Sequence, residues 1–154
     1  MSFKLRRVIS GGQTGVDQAG LYVAHYLGFL TGGTAPKGWR TDDGPMEEVL
    51  KGYGLRESNS FTYGARTRAN VVQSDGTVWF GNPKSPGGRL TLRLCCDYER
   101  PYLVNPTWQE LREWLVQREI VTLNVAGNRR RTNPEAGKLA GQVLRFAFNP
   151  PAPL

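Results

Sequence analysis

The stretch Ser10-Gly11-Gly12-Gln13-Thr14-Gly15-Val16-Asp17 lies between a short apolar run and a helical pattern, and it constrains the fold more than any other part of the chain. Leu5, Val8 and Ile9 before it read as a strand. Val16, Ala19, Gly20, Val23, Ala24 and Leu27 after it recur at three- and four-residue spacing, as one buried helix face does. Gly11, Gly12 and Gly15 allow positive φ and close approach of a ligand to the backbone, and the N–H groups at the helix start attract anions. With donors from Gln13 and Thr14, the turn suits a phosphate or similar oxyanion. An ordinary tight turn of an α/β domain is the plainer reading of the same residues.

Strand and helix patterns alternate along the rest of the chain. Residues 31–45 contain glycines at 32, 33, 38 and 44 and read as a loop, in which Lys37, Trp39 and Arg40 set two cations beside an aromatic ring. Met46, Val49 and Leu50 suggest a short helix, and residues 66–72 a second. Ser74-Asp75-Gly76-Thr77 is a turn before Val78, Trp79 and Phe80, a buried strand. A loop with Pro83, Pro86, Gly87 and Gly88 leads to a helix over about 90–97. Tyr102, Leu103 and Val104 form a strand; Thr107 and Glu110 form a capping box for a helix buried through Trp108, Leu111 and Leu115. Residues 120–125 give a further strand. The last helix is expected to start at Asn133-Pro134 and to bury Ala136, Leu139, Ala140, Val143 and Leu144.

This alternation predicts a mostly parallel sheet covered on both faces, with ligands at the carboxyl ends of its strands. Three glycine-containing loops, 11–17, 81–88 and 127–132, should converge on that rim. Gly87 and Gly88 offer a second cradle. Lys37, Arg66 and Arg129 supply positive charge, and Gly127 opens the loop that carries three consecutive arginines.

Length and charge limit the alternatives. The 154 residues are expected to form one domain over 1–150, with a tail at 151–154. Lys and Arg number 20 against 13 acids, a formal charge of +7, and 15 of the 20 are Arg, whose planar fork suits carboxylate and phosphate. A basic face for nucleic acid remains open and is the less favoured reading. Cys95 and Cys96 have neither zinc nor redox spacing and read as buried thiols; His25 has no metal-ligand partners at suitable spacing. No apolar run is long enough for a membrane span or signal peptide, so the chain is expected in the cytoplasm.

Ser10 to Asp17, Pro36-Lys37-Gly38, Arg66-Thr67 with Asn70-Val71, Ser74 to Thr77, and Leu123-Asn124-Val125-Ala126-Gly127 together resemble the putative molybdenum carrier protein family. That family is similar to circularly permuted YpsA and Lonely Guy-like proteins. The resemblance covers the chain from Ser10 to about Leu144. It implies a Rossmann-like three-layer sandwich that binds molybdenum cofactor, molybdate or another nucleotide-like anion as a homo-oligomer.

Related cytokinin-activating phosphoribohydrolases carry an Arg, then Ser-Asp before a strand, then Pro-Gly-Gly-x-Gly-Thr-x-x-Glu. Here Arg66, Ser74-Asp75 and Pro86-Gly87-Gly88 match in order, which implies ligand-binding roles for Arg66, Ser74, Asp75, Gly87 and Gly88, and Thr91 is kept. Leu90 replaces the third Gly and Leu94 the Glu, so that hydrolysis lacks its expected carboxylate. Asp17, Asp42, Asp43 and Glu57 are the candidate replacements, each equally readable as a cap, turn or ion-pair residue; Asp17 suits the dipole of its helix. The resemblance therefore implies a binding protein, with a nucleotide sensor or an altered N-glycosidase as alternatives.

Overall fold

The computed structural model describes residues 2–153; Met1 and Leu154, the ends of the expected domain and tail, lie outside them. Six strands form one sheet: β1 (Arg7–Ile9), β2 (Leu30–Ala35), β5 (Leu55–Glu57), β6 (Gly76–Phe80), β7 (Tyr102–Val104) and β8 (Thr122–Gly127), in the order β5-β2-β1-β8-β6-β7. Every pairing within it is parallel, as crossovers through helices require. Two further strands, β3 (Arg40–Thr41) and β4 (Gly44–Pro45), make a separate antiparallel hairpin.

The helices are α1 (Val16–Tyr26), α2 (Glu47–Gly52), α3 (Tyr63–Val72), α4 (Pro86–Asp97), α5 (Trp108–Gln117) and α6 (Ala136–Phe148). α1, α5 and α6 cover one face of the sheet. Their Val16, Val23, Leu111, Leu115, Ala140 and Leu144 pack with Val8, Val78, Phe80, Leu123 and Val125 in the main core. α3 and α4 cover the other face, where Val71, Leu94 and Cys95 form a much smaller apolar cluster. The expected Rossmann-like three-layer sandwich is therefore present. Strand side chains alternate between the faces, so one register settles both layers.

Several local expectations are corrected. Residues 31–35 are strand, not loop: Gly33, at φ 126°, lies so close to the Ser10 carbonyl that a Cβ would collide with it. Here glycine serves strand packing and not a turn. α4 begins at Pro86, with Ser85 as its N-cap, which places Gly87 and Gly88 inside its first turn. α6 begins at Ala136 rather than at Asn133, whose side chain instead accepts the Glu135 N–H. Leu139 is 52% exposed on that helix and Cys96 is exposed too. β8 runs two residues later than expected, which carries Ala126 and Gly127 to the rim. The capping box of α5 is present as read.

Candidate functional site

Alternation along two central strands builds the site. In β8, Leu123 and Val125 belong to the main core, so Asn124 and Ala126 face α3 and α4; in β6, Val78 and Phe80 do the same and Trp79 turns outward. At the carboxyl ends of β1, β8 and β6 these residues border a cavity of about 410 Å3. α3 contributes Arg66, Thr67 and Asn70, and α4 contributes Gly87, Leu90 and Thr91. The end of β8 adds Gly127, and the loops add Gly11, Gln13, Asn128 and Arg129. This is where parallel α/β sheets hold ligands.

Asp17 and Arg66 form the charged part of the wall. Their side chains are 9% and 6% exposed, with Arg66 Nη1 3.8 Å from Asp17 Oδ2 and also donating to the Gly11 carbonyl at 3.4 Å. Asp17 Oδ2 accepts the Gln13 N–H at 3.2 Å and thereby fixes the glycine turn. Burial pushes the Asp17 carboxyl up to about 6, against the opposing pull of the Arg66 charge and the N–H groups of Gln13 and Gly11. The cavity thus holds a carboxyl that changes charge near neutrality, the range in which general acid–base groups work.

Amide side chains fix the surrounding loops. Asn128 Oδ1 accepts from the Asn82 N–H at 2.7 Å and its Nδ2 donates to Ser85 Oγ at 3.1 Å, joining the loops after β8 and β6. Asn70 clamps β2 by a reciprocal pair with Thr34, at 2.8 and 3.0 Å. Trp79 is 2% exposed, and its Nε1–H has no partner among the described residues. A buried indole donor left open beside a cavity is ready for a ligand acceptor.

Of the residues singled out in the sequence, Gly11, Gln13, Arg66, Gly87, Gly127 and Arg129 border the cavity. Gly12, at φ 78°, instead donates its N–H to Ser10 Oγ and packs toward Leu50 and Leu55. Thr14 is buried and bonds the Gln13 side chain through both N–H and hydroxyl. Gly15, at φ 105°, pairs with Arg129 in an isolated bridge. Lys37 stands over the Phe61 ring at 4.6 Å, outside the cavity lining. Gly88 donates to Ser85 Oγ, and a Cβ there would meet the Pro83 carbonyl at 2.6 Å, so it serves packing.

Ser74 and Asp75 lie at the opposite, amino edge of the sheet. Ser74 Oγ donates to the Val71 carbonyl, and Asp75 Oδ2 accepts the N–H groups of Val121 and Thr122 at 3.0 and 2.9 Å. Ser74 thus closes the end of α3, and Asp75 fixes the entry of β8. Leu94, where the phosphoribohydrolase pattern has Glu, packs with Val71 and Cys95 and does not border the cavity. Arg129 faces the rim, Arg130 pairs with Asp43, and Arg131 is exposed.

The sequence reading missed Asn70, Trp79, Asn124 and Asn128. Two of them left a signal: Asn124 interrupts an otherwise apolar strand, and Asn70 follows Arg66 by four residues, on the same helix face.

Fold and cavity together define a Rossmann-type α/β protein with a ligand-sized site at the carboxyl edge of its sheet. The chain belongs to the circularly permutated YpsA SLOG family, whose model matches residues 8–148. Among solved structures it is similar to a putative molybdenum carrier protein from Syntrophus aciditrophicus, with 30% identity, a TM-score of 0.85, and coverage of 94% of this chain and 96% of that one. No curated protein matches. Among the described residues no helix is long and apolar enough to cross a membrane, and no three His, Cys, Asp or Glu side chains gather as a metal-ligand set.

Proposed function

We propose that the cavity binds a nucleotide-like ligand, a flat heterocycle joined to an anionic group, and that the protein carries molybdenum cofactor or a molecule of that shape. The supporting observation is the cavity itself: about 410 Å3, bordered by Trp79 with its open N–H, by apolar Leu90 and Ala126, and by Arg66. That volume falls in the range of small-molecule sites. A bare molybdate displaces only two or three waters, on the order of 60–90 Å3, and would leave most of the space to solvent. Gly11, Gln13, Gly87 and Gly127 bring backbone close to the ligand, Arg66 and Arg129 supply charge, and Gly12, Thr14 and Gly15 shape the turn. The name of the Syntrophus protein, a putative molybdenum carrier, supports a molybdenum-containing ligand over an unrelated nucleotide.

A second reading, hydrolysis of an N-glycosidic bond, is favoured by Asp17. A carboxyl raised to about 6 and bordering the cavity could protonate a leaving base nitrogen while water adds to the sugar carbon. It would replace, from α1, the Glu that Leu94 displaces on α4.

Thermal stability of the desalted protein with molybdenum cofactor, molybdate, phosphate and nucleoside monophosphates, each separately, tests both readings. A ligand of the folded state raises the melting temperature with the logarithm of its excess over Kd. Stabilisation by the cofactor beyond that by molybdate supports the carrier. Stabilisation by nucleotides with release of free base supports hydrolysis, and no stabilisation by any of them overturns both.

A further inference from the structure

Each of the two arginines bordering the cavity faces a carboxylate of this same chain: Arg66 faces Asp17, and Arg129 faces Asp42 at 3.4 Å. Asp42 comes from the tip of the β3–β4 hairpin. Its Oδ2 accepts the Arg131 N–H at 3.2 Å, its Oδ1 takes Arg129 Nη1, and its own N–H donates to Gln13 Oε1 at 2.8 Å. The side chain is only 8% exposed, whereas the next residue, Asp43, is 47% exposed. Burial alone would raise the Asp42 carboxyl, but the Arg131 N–H, the Arg129 guanidinium and the Thr14 hydroxyl hold it below the ordinary carboxylate value.

A backbone N–H and a guanidinium converging on one carboxylate form a donor set that suits an oxyanion. The arginine loop supplies both donors, and the glycine turn holds the hairpin tip over them through Gln13 Oε1, which accepts the Asp42 N–H. Gln13 and Arg129 border the cavity as well, so the junction adjoins it. The hairpin is anchored at its base by packing and at its tip by polar contacts. Its base is closed by the Met46 N–H donating to the Trp39 carbonyl at 2.9 Å, and Trp39 is buried against Leu50 and Leu55. Its tip is held by Asp42 and by the ion pair of Asp43 with Arg130, both to side chains that are about half exposed.

We propose that this junction is an anion seat that Asp42 fills in the free protein, and that the anionic group of the ligand enters it by displacing the 40–45 hairpin. The inference rests on the cavity being the site of an anionic ligand. Asp42 is then a competitor built into the chain: ligands without an anion leave the hairpin in place.

Calorimetry with inorganic phosphate and with molybdate tests the seat on the wild type, Asp42→Asn, Asp42→Asn with Arg129→Gln, and Glu48→Gln. The last makes the same charge change on exposed α2. Asp42→Asn should tighten phosphate about tenfold by freeing the seat, Glu48→Gln should change nothing, and the double variant should lose the gain. Hydrogen exchange of residues 40–45 in the wild type should quicken at saturating phosphate, a readout that needs no variant. If phosphate binds the wild type but Asp42→Asn binds it no tighter, if Glu48→Gln matches the gain, or if hairpin exchange does not quicken, the seat is overturned and the cavity reading stands. If neither oxyanion binds any of the proteins, the seat is overturned, and the cavity reading rests on the cofactor and the nucleotides alone.

Discussion

Asp17 and Arg66, separated by 49 positions in the chain, bring opposite charges to within 3.8 Å at the wall of the cavity, yet burial leaves the carboxyl raised to about 6. The charged carboxylate is thus a cost to the folded state that Arg66 offsets only in part.

The sign of the pH dependence follows. The folded protein holds the Asp17 proton more tightly than the unfolded chain, so this contribution to stability is full below 3.8 and is lost as pH rises through about 6. Asp17→Asn, which does not titrate, should gain on the wild type between pH 4 and pH 8, by on the order of 2–3 kcal/mol at most. Urea unfolding across that range checks it, and a difference independent of pH would contradict it.

Ligand affinity should follow the same titration. Ionised Asp17 competes with the ligand's anion for Arg66, so the ratio of nucleoside monophosphate affinities, Asp17→Asn over wild type, should fall toward one as pH drops from 8 to 5.5. Taking the ratio removes the ligand's own titration. Arg66→Gln should weaken binding at every pH, by about tenfold or more, the loss of one charge-assisted contact. Fluorescence of Trp79 during titration would report both effects.

Asn128→Ala should cost about 2 kcal/mol, since it leaves the Asn82 N–H and Ser85 hydroxyl without the partner that now joins their loop to β8. Hydrogen exchange at residues 81–85 should quicken in this variant while exchange at the amino edge, near Asp75, stays unchanged.

Leu94→Glu restores the letter of the phosphoribohydrolase pattern at a position that packs against Val71 and Cys95. It should destabilise the protein by about 3 kcal/mol or more by burying a carboxylate without a partner. It should release no free base from nucleotides, which chromatography of the reaction would show.

Most of the sheet and its helices were legible because their signals are local: a capping box at Thr107, apolar spacing through α1, and short apolar runs at Val78 and Leu103; β5 and the β3–β4 hairpin, two or three residues per strand, offer no such run. The β2 strand was not legible because Gly32 and Gly33 speak for a turn until the Arg7 side chain is known to lie against Gly32, and Ser10 and Asn70 against Gly33. The site was legible in outline for the same reason as the sheet. Gly11 and Gln13 sit where a strand-following loop must lie and Gly127 at the carboxyl end of β8, while Arg66 reaches the cavity from α3; Ser74 and Asp75 were drawn to the site by motif order alone and belong to the other edge. Asp17 and Asp42 resisted for a physical reason. Whether a carboxylate caps a turn, neutralises an arginine or titrates in a cavity depends on burial and on partners dozens of residues away.

The two central strands, β1 and β8, come from opposite ends of the chain, with Arg7 beside Thr122 and Ile9 beside Asn124. A ribosome must therefore have delivered almost the whole polypeptide before the middle of the sheet can close. No shorter nascent chain brings Gly11 and Arg129 together, so the cavity closes only once β8 and the loop after it are in place. Any product truncated before β8 has half of the cavity wall and an open sheet edge, which makes it a target for quality control.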